Sequence, residues 1–497
     1  MAGVIAGDSN VAISKPDRLA QLRASIGKDM ARDSDVGKKK PLKLKTGSFD
    51  RNAAMARMGV VAGASFAGHT LGNLFRSKED KERRNREFYI RQAQFLADEL
   101  GQLKGSVMKV GQMLSVYGQY FMPPEAIDVL RSLQDSSPPV AWEDLEPVVV
   151  QRLGRDRLAE IDIDPEPLAA ASLGQVHRAT RKSDGRQLCV KIQYPRLADA
   201  IDSDIRTLTQ IVRLARLVPK GVELNAIMEE VREMIYREVD YDRELRMTRE
   251  FSERLAEDPR FVVPEVFPEY STETVLVTSF EEAHHVQSET VQTLEQHRRD
   301  AIGFQALELF CREFFVWGIV QTDPHFGNYK VRVNADGNDQ LVLIDFGATR
   351  EFAPRFLGCY YDVVTGAYEG DAKRLIDGAI GISLLRRDSP QHVFDAFAKV
   401  GMLMIEPFSK NPPAELTNAQ GAYRWGESDL PFRVSRAVSD AAISRWFRIP
   451  PREIVFLHRR LGGVFVLLAV LNAEVDSHEL LGSYLYRASE RSDTEHH

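Results

Sequence analysis

An α+β fold in two lobes, a small sheet in the first and mostly helices in the second, is what this sequence predicts, on three observations. Apolar residues recur every three or four positions from about 80 to 117; the period switches to two at residue 168; from about 288 the chain reads as helical again to about 485. The second helical part is interrupted between 317 and 350 by short apolar strands that flank two loops carrying Asp and Asn. The length of 497 residues suits roughly two or three structural units. The boundaries expected are a basic arm at 1–52, a Gly/Ala-rich segment at 53–80, a helical extension at 81–165, a sheet lobe at 166–280 and a helical lobe at 281–490.

The arm is polar and Lys-rich, with Lys38, Lys39, Lys40, Lys43 and Lys45 but no periodicity. Residues 53–75, "AAMARMGVVAGASFAGHTLGNLF", are apolar but broken by Arg57 and His69. Two readings stand side by side: a segment lying on an anionic membrane surface beside the basic arm, or a helix docked on the protein's own surface. The net charge of −7 gives no global basic field, so nucleic acid is not expected as a partner. Cys189, Cys311 and Cys359 lie far apart in apolar surroundings, as buried thiols of a reducing compartment would. No window reaches the roughly 18 apolar residues of a spanning helix. The closest, "GGVFVLLAVLNA" at 462–473, follows His458-Arg459-Arg460 and reads as a buried helix. No signal-peptide pattern opens the chain, so the expected place is the cytoplasm, with peripheral membrane contact through residues 53–75.

Within the extension, Lys109 and Gln112 are three residues apart and share a helix face, with Gly111 between them. A glycine in a helix costs about 1 kcal/mol relative to Ala, which suggests close packing there. Prolines at 123, 124, 138 and 139 punctuate a helical hairpin and connection to 165. From 168, "PLAAASLGQVHRATRKSDGRQLCVKIQYP" reads as two strands joined at Ser183-Asp184-Gly185. On the second strand Leu188, Val190 and Ile192 share one face, and Cys189, Lys191 and Gln193 the other. A lysine on a mostly enclosed face needs an anion. The acidic helical stretch that follows offers Glu238, Asp240 and Glu244. Then "TVLVTSFEE", 274–282, is a strand running into a polar link between the lobes, where Phe280 and Glu281 are the candidates for nucleotide contact.

Phosphoryl transfer calls for a lysine on the phosphates, divalent cations held by Asn and Asp, and an Asp beside the acceptor. The sequence supplies each type in the order found in protein kinases: Lys191, then Asp323 followed by Asn328, then Asp345-Phe346-Gly347. Asn328 and Asp345 would hold Mg²⁺ through hard oxygens, and Asp323 would orient the acceptor. Any one of these pieces alone reads as an ordinary turn; together, across a lobe linker from a strand lysine, they point to ATP and Mg²⁺. Two parts differ from that pattern. Ala169, Ala170, Ala171 and Ser172 stand where a Gly-rich phosphate loop is expected, and alanines restrict a turn that glycines leave free. Gln321-Thr322 replaces the His-Arg expected before the acid.

With these departures, "KVGQ", "AAASLGQVH", "VKIQYP", "EVDYDREL", "QTDPHFGN" and "DFGATREF" resemble, in order, the motifs of the UbiB (AarF/UbiB) family of atypical kinase-like proteins. The eukaryotic members of that family are the mitochondrial coenzyme Q-supporting kinases. The likeness runs from about 85 to beyond 350. It implies a protein-kinase-like two-lobed fold with a family-specific N-terminal helical (KxGQ) extension over the site and a helical C-terminal region. By the same likeness Lys109 would reach toward Glu238 and Asp240, and Glu244, with Glu238 as the alternative, would pair Lys191. The resemblance further implies ATP binding, slow ATPase activity and support of ubiquinone or other isoprenoid-lipid metabolism at membranes. Candidate partners are then an isoprenoid or lipid ligand, an anionic membrane surface and quinone-biosynthesis proteins. An Mg-ATP-dependent ATPase or small-molecule kinase leads; a nucleotide-gated pseudokinase scaffold without phosphoryl transfer is the alternative from another class. An ordinary protein kinase is disfavoured by the Ala-rich loop and the KxGQ segment. A relative of aminoglycoside or choline kinases is disfavoured by Asp-Phe-Gly.

Overall fold

The computed structural model describes residues 139–170, 173–195, 197–214, 223–323, 325–442 and 450–494, with six positions between 87 and 127. The arm, the Gly/Ala-rich segment, Lys109, Gln112, Ala171 and Ser172 lie outside the described residues.

The first lobe begins with helix α1 (Trp142–Leu153), whose Leu145, Val149 and Leu153, four apart, are buried against the sheet. Strands β1 (Ile161–Ala170), β2 (Gly174–Arg181) and β3 (Gln187–Gln193) follow, then helices α2 (Leu197–Leu214), α3 (Leu224–Glu238) and α4 (Tyr241–Leu255). After β4 (Phe261–Val262) comes β5 (Val275–Ser279), which completes an antiparallel sheet in the order β1-β2-β3-β5. Leu188, Val190 and Ile192 of β3 pack with Val275 and Val277 of β5 under α1, while Cys189 and Lys191 face the other way. The β2–β3 turn runs through Gly185 at φ +73°, a conformation that favours glycine.

The sheet starts earlier than the period change at 168 suggests. β1 opens at Ile161 and holds Pro165 and Pro167, with irregular register on both sides of Pro167. Proline donates no ladder hydrogen bond, but among the described strands β1 lies at the edge of its sheet, where that loss is tolerated. The prolines and the acids between them conceal the alternation.

The acidic stretch divides into two helices at Val239-Asp240. The Asp240 carboxylate accepts from the Arg243 backbone N–H at 2.9 Å and caps α4, leaving Glu244 in its first turn. The second lobe opens with β6 (His284–His285) and helix α5 (Gln296–Cys311), which widens into a π-helical turn over Arg312–Trp317 and ends at Gly318. Then come β7 (Ile319–Gln321), β8 (Tyr329–Arg332), β9 (Gln340–Leu343) and β10 (Thr349–Glu351). β10 pairs with β7, and β4-β9-β8-β6 form a second sheet.

Helices α6 (Pro354–Glu369), α7 (Ala372–Gly381), α8 (Gln391–Met404), α9 (Leu430–Ala442), α10 (Arg452–Val470) and α11 (Ser477–Thr494) complete the lobe. The apolar run after 462 is the second half of α10, with Val464, Phe465, Val466, Leu467 and Leu468 buried. Among the described residues no helix is long and apolar enough to cross a membrane. Burial pushes the Cys189 thiol up to about 11 and the Cys311 thiol higher still, so neither is a thiolate near neutral pH.

Candidate active site

Lys191 stands on β3 opposite Val176 of β2 and Leu276 of β5. Its Nζ donates to both Glu244 oxygens at 2.7 and 2.8 Å and to Asp345 Oδ2 at 3.2 Å, joining the first lobe to the loop after β9. The Tyr241 ring lies 5.2 Å from the same ammonium. Glu244 is only 3% exposed, and burial pushes its carboxyl up to about 7; Asp345 adds to the push while the lysine opposes it. Burial works against the Lys191 charge too, but Asp345 and Glu244 outweigh it and hold the ammonium well above the ordinary lysine value. Lys191 is therefore charged at all physiological pH. Gly347 allows this convergence, since a Cβ there would lie 3.1 Å from Glu244 Oε2.

Asp323 follows β7, and Asn328 ends a single 3-10 turn before β8. Asn328 Nδ2 donates to Asp323 Oδ2 at 3.0 Å, and Arg459 of α10 donates to Oδ1 at 3.1 Å. The Gln321 amide spans the two loops: its Oε1 accepts from the Asp323 N–H at 2.7 Å, and its Nε2 donates to the Asp345 carbonyl at 3.1 Å.

Every carbonyl from 345 to 349 has a donor. That of Phe346 accepts from the Thr349 hydroxyl at 2.7 Å, and that of Ala348 from the Thr322 hydroxyl at 2.6 Å. Those of Gly347 and Thr349 accept from the Arg243 guanidinium at 3.2 and 2.6 Å. Asp345 Oδ1 accepts from the Gly347 N–H at 2.9 Å. The loop is thus held by polar side chains on its carbonyls together with the buried Phe346 ring, which packs 4.7 Å from that of Phe251.

Asp345 offers carboxylate oxygens. Asn328 offers an amide oxygen, because its nitrogen is turned to Asp323. This is a hard-oxygen set of the kind Mg²⁺ takes, and Lys191 beside it suits an anionic ligand. The residues therefore fit the metal.

Ala169 and Ala170, expected near the phosphates, end β1 in register with Val176 and Gln175. Phe280 lies under the Arg178 guanidinium, 4.0 Å from its ring centroid. Glu281 accepts from Ser279 and pairs with Arg332 of β8, so its side chain ties the link to the second lobe. Glu238 closes α3, and Asp240 is committed to its capping role. Of the three acids offered by this stretch, Glu244 is the one that pairs with Lys191.

Sequence reasoning passed over Arg243, Gln321 as a contact residue, and Arg459. Arg243 and Gln321 act through backbone carbonyls distant in sequence, which leave no periodic trace. Arg459 and Arg460 had a usable signal: two arginines inside an apolar helix need acids, and they find Asp323 and Glu313 respectively.

A family model described as an ABC1 atypical kinase-like domain matches residues 132–378. The chain is 32% identical over 393 residues to the atypical kinase coq-8, mitochondrial, of Caenorhabditis elegans, covering 78% of this chain and 50% of that protein. It is 30% identical over 396 residues to the atypical kinase COQ8B, mitochondrial, of Rattus norvegicus, covering 80% of this chain and 72% of the rat protein. The chain thus spans half the length of the nematode relative and more of the rat one. A Mycobacterium tuberculosis protein solved in complex with erythromycin superposes with a TM-score of 0.51 at 25% identity, over 77% of this chain and 92% of that one.

Proposed function

Since this chain belongs to the ABC1 atypical kinase-like family, we propose that it binds Mg-ATP between its lobes and transfers or hydrolyses the terminal phosphoryl group. This activity would support ubiquinone or other isoprenoid-lipid metabolism at a membrane surface. The observation that carries the reading is Lys191, bonded at once to a buried Glu244 and to Asp345 beside Asp323 and Asn328. Lys191 meets the α/β-phosphates and Glu244 keeps it extended. Asn328 and Asp345 hold the metal, which when bound neutralises phosphate charge. Asp323 orients the acceptor hydroxyl or water. Ile344, 39% exposed next to Asp345 and with its N–H on the Asn328 carbonyl, offers an apolar side chain to the nucleoside.

Thermal-shift titration with ATP and MgCl₂ tests the site. Wild type should gain about 2.7 kcal/mol of stability at a hundred times Kd, and Asp345→Asn should gain almost none. An unchanged shift in Asp345→Asn sinks the assignment.

One observation favours the scaffold reading. Both Asp323 oxygens already accept hydrogen bonds, from Asn328 and Arg459, so taking an acceptor proton weakens the bonds that the charged carboxylate now accepts. The same preparation separates the readings: ATP hydrolysis with anionic liposomes and prenyl-phenols that falls in Asp323→Asn supports turnover, whereas nucleotide binding without hydrolysis in wild type supports the scaffold.

A further inference from the structure

We infer that Gln321 is the positioning residue that sets the spacing of Asp323 and Asp345, so that the acceptor-orienting acid and the metal-binding acid move as one unit. Its amide carries an acceptor and a donor, and each is spent on a different loop: the oxygen on the Asp323 N–H at 2.7 Å, the nitrogen on the Asp345 carbonyl at 3.1 Å. Among the described residues no other side chain bonds to the backbone of both acids. Thr322 and Arg243 grip the carbonyls of Ala348, Gly347 and Thr349, which lie downstream of Asp345.

The strand that carries Gln321 is also held in place. Gln321 lies in β7 opposite Thr349 of β10, and its backbone lies close to the Glu313 carboxylate. Glu313 is paired with buried Arg460, which in turn donates to the Tyr329 hydroxyl at 2.6 Å at the start of β8. A chain of buried polar groups therefore runs from β8 through α10 and the π-helical turn to the strand that carries Gln321. Gln321 is 3% exposed, so water does not substitute for either of its two contacts if they are lost. Gln321-Thr322, standing where His-Arg is expected, thus has a physical reason: one two-ended amide spans the gap, and a carboxylate in its place would set an oxygen against the Asp345 carbonyl.

This inference rests on reading Asp345 as a metal ligand, and the experiment separates the two. ADP is the probe, and thermal shift is recorded without metal and across a MgCl₂ titration for wild type, Gln321→Glu and Gln321→His. In Gln321→Glu the metal-free ADP shift should match wild type while the half-maximal Mg²⁺ concentration rises about tenfold, the range seen when a supporting partner of a metal ligand is lost. Gln321→His, with one ring nitrogen to accept and one to donate, should recover much of the loss. Gln321→Met, of similar length and without amide polarity, carries the test if the glutamate variant does not fold, with the same rise expected. Folded variants that keep the wild-type Mg²⁺ requirement overturn the inference alone; a wild type whose ADP shift ignores Mg²⁺ overturns it together with the reading of the site.

Discussion

Lys191 and Glu244 meet because a strand and a helix, each packed along its length, bring them together, whereas Asp323, Asn328 and Asp345 meet in loops whose positions are set by side chains bonded to carbonyls. On the first side the ion pair is the local anchor and the backbone looks after itself. On the second the β7–β10 ladder reaches back only to the Ala348 carbonyl, which accepts from the Thr322 N–H, and the side chains of Gln321, Thr322 and Arg243 supply from outside what a ladder would supply. The difference teaches where each side is vulnerable: the first to loss of charge, the second to loss of a donor.

The largest effect that would test this contrast is expected from Glu244→Ala. It leaves the half-buried Lys191 with Asp345 alone, drawing the lysine onto the proposed metal ligand, and breaking a pair with one buried partner costs about 3 kcal/mol. Urea denaturation should show that loss, and the Mg-ATP thermal shift should disappear with it. A variant as stable as wild type would show that packing, not the ion pair, anchors the first side.

Arg243→Ala comes next, at about 2 kcal/mol, because two carbonyls lose a charged donor. Hydrogen exchange sharpens the comparison: amides from 345 to 349 should exchange faster while those of β3 keep their protection. Equal acceleration in both would mean that the two sides are one cooperative unit.

At neutral pH the smallest expected effect comes from α10, the helix that also brings Arg459 to Asp323, and it grows only as the pH falls. Burial lowers the His458 pKa to about 4 from the ordinary 6.5, so the folded state binds fewer protons than the unfolded one between those values. Its contribution is present above pH 6.5 and lost as pH falls through 4. His458→Gln should flatten that part of the stability curve, and an unchanged acid limb would place the sensitivity elsewhere.

What the sequence disclosed follows the same division. Alternation at Leu188, Val190 and Ile192 announced β3 and turned Lys191 to the opposite face, and the apolar run after 462 announced the buried half of α10, because period and burial are local properties. Glu244 could not be chosen over Glu238 from spacing, since the choice depends on where the acidic stretch breaks. Asp240 makes that break by capping α4. The grips of Gln321 and Arg243 on distant carbonyls were hidden for a simpler reason: any polar residue looks solvated until the chain it reaches is in place.

The irregular first strand has a consequence for how the molecule behaves at high concentration. An edge ten residues long would ordinarily invite a second molecule to add a strand, but β1 interrupts its outer row of donors at Pro165 and Pro167 and exposes Asp162, Asp164 and Glu166 along it. An incoming strand would find missing partners and a line of negative charge, repelled most strongly at low salt. The open side of the sheet is thereby protected against self-association, and the features that concealed the strand in the sequence are the ones that keep it from recruiting another.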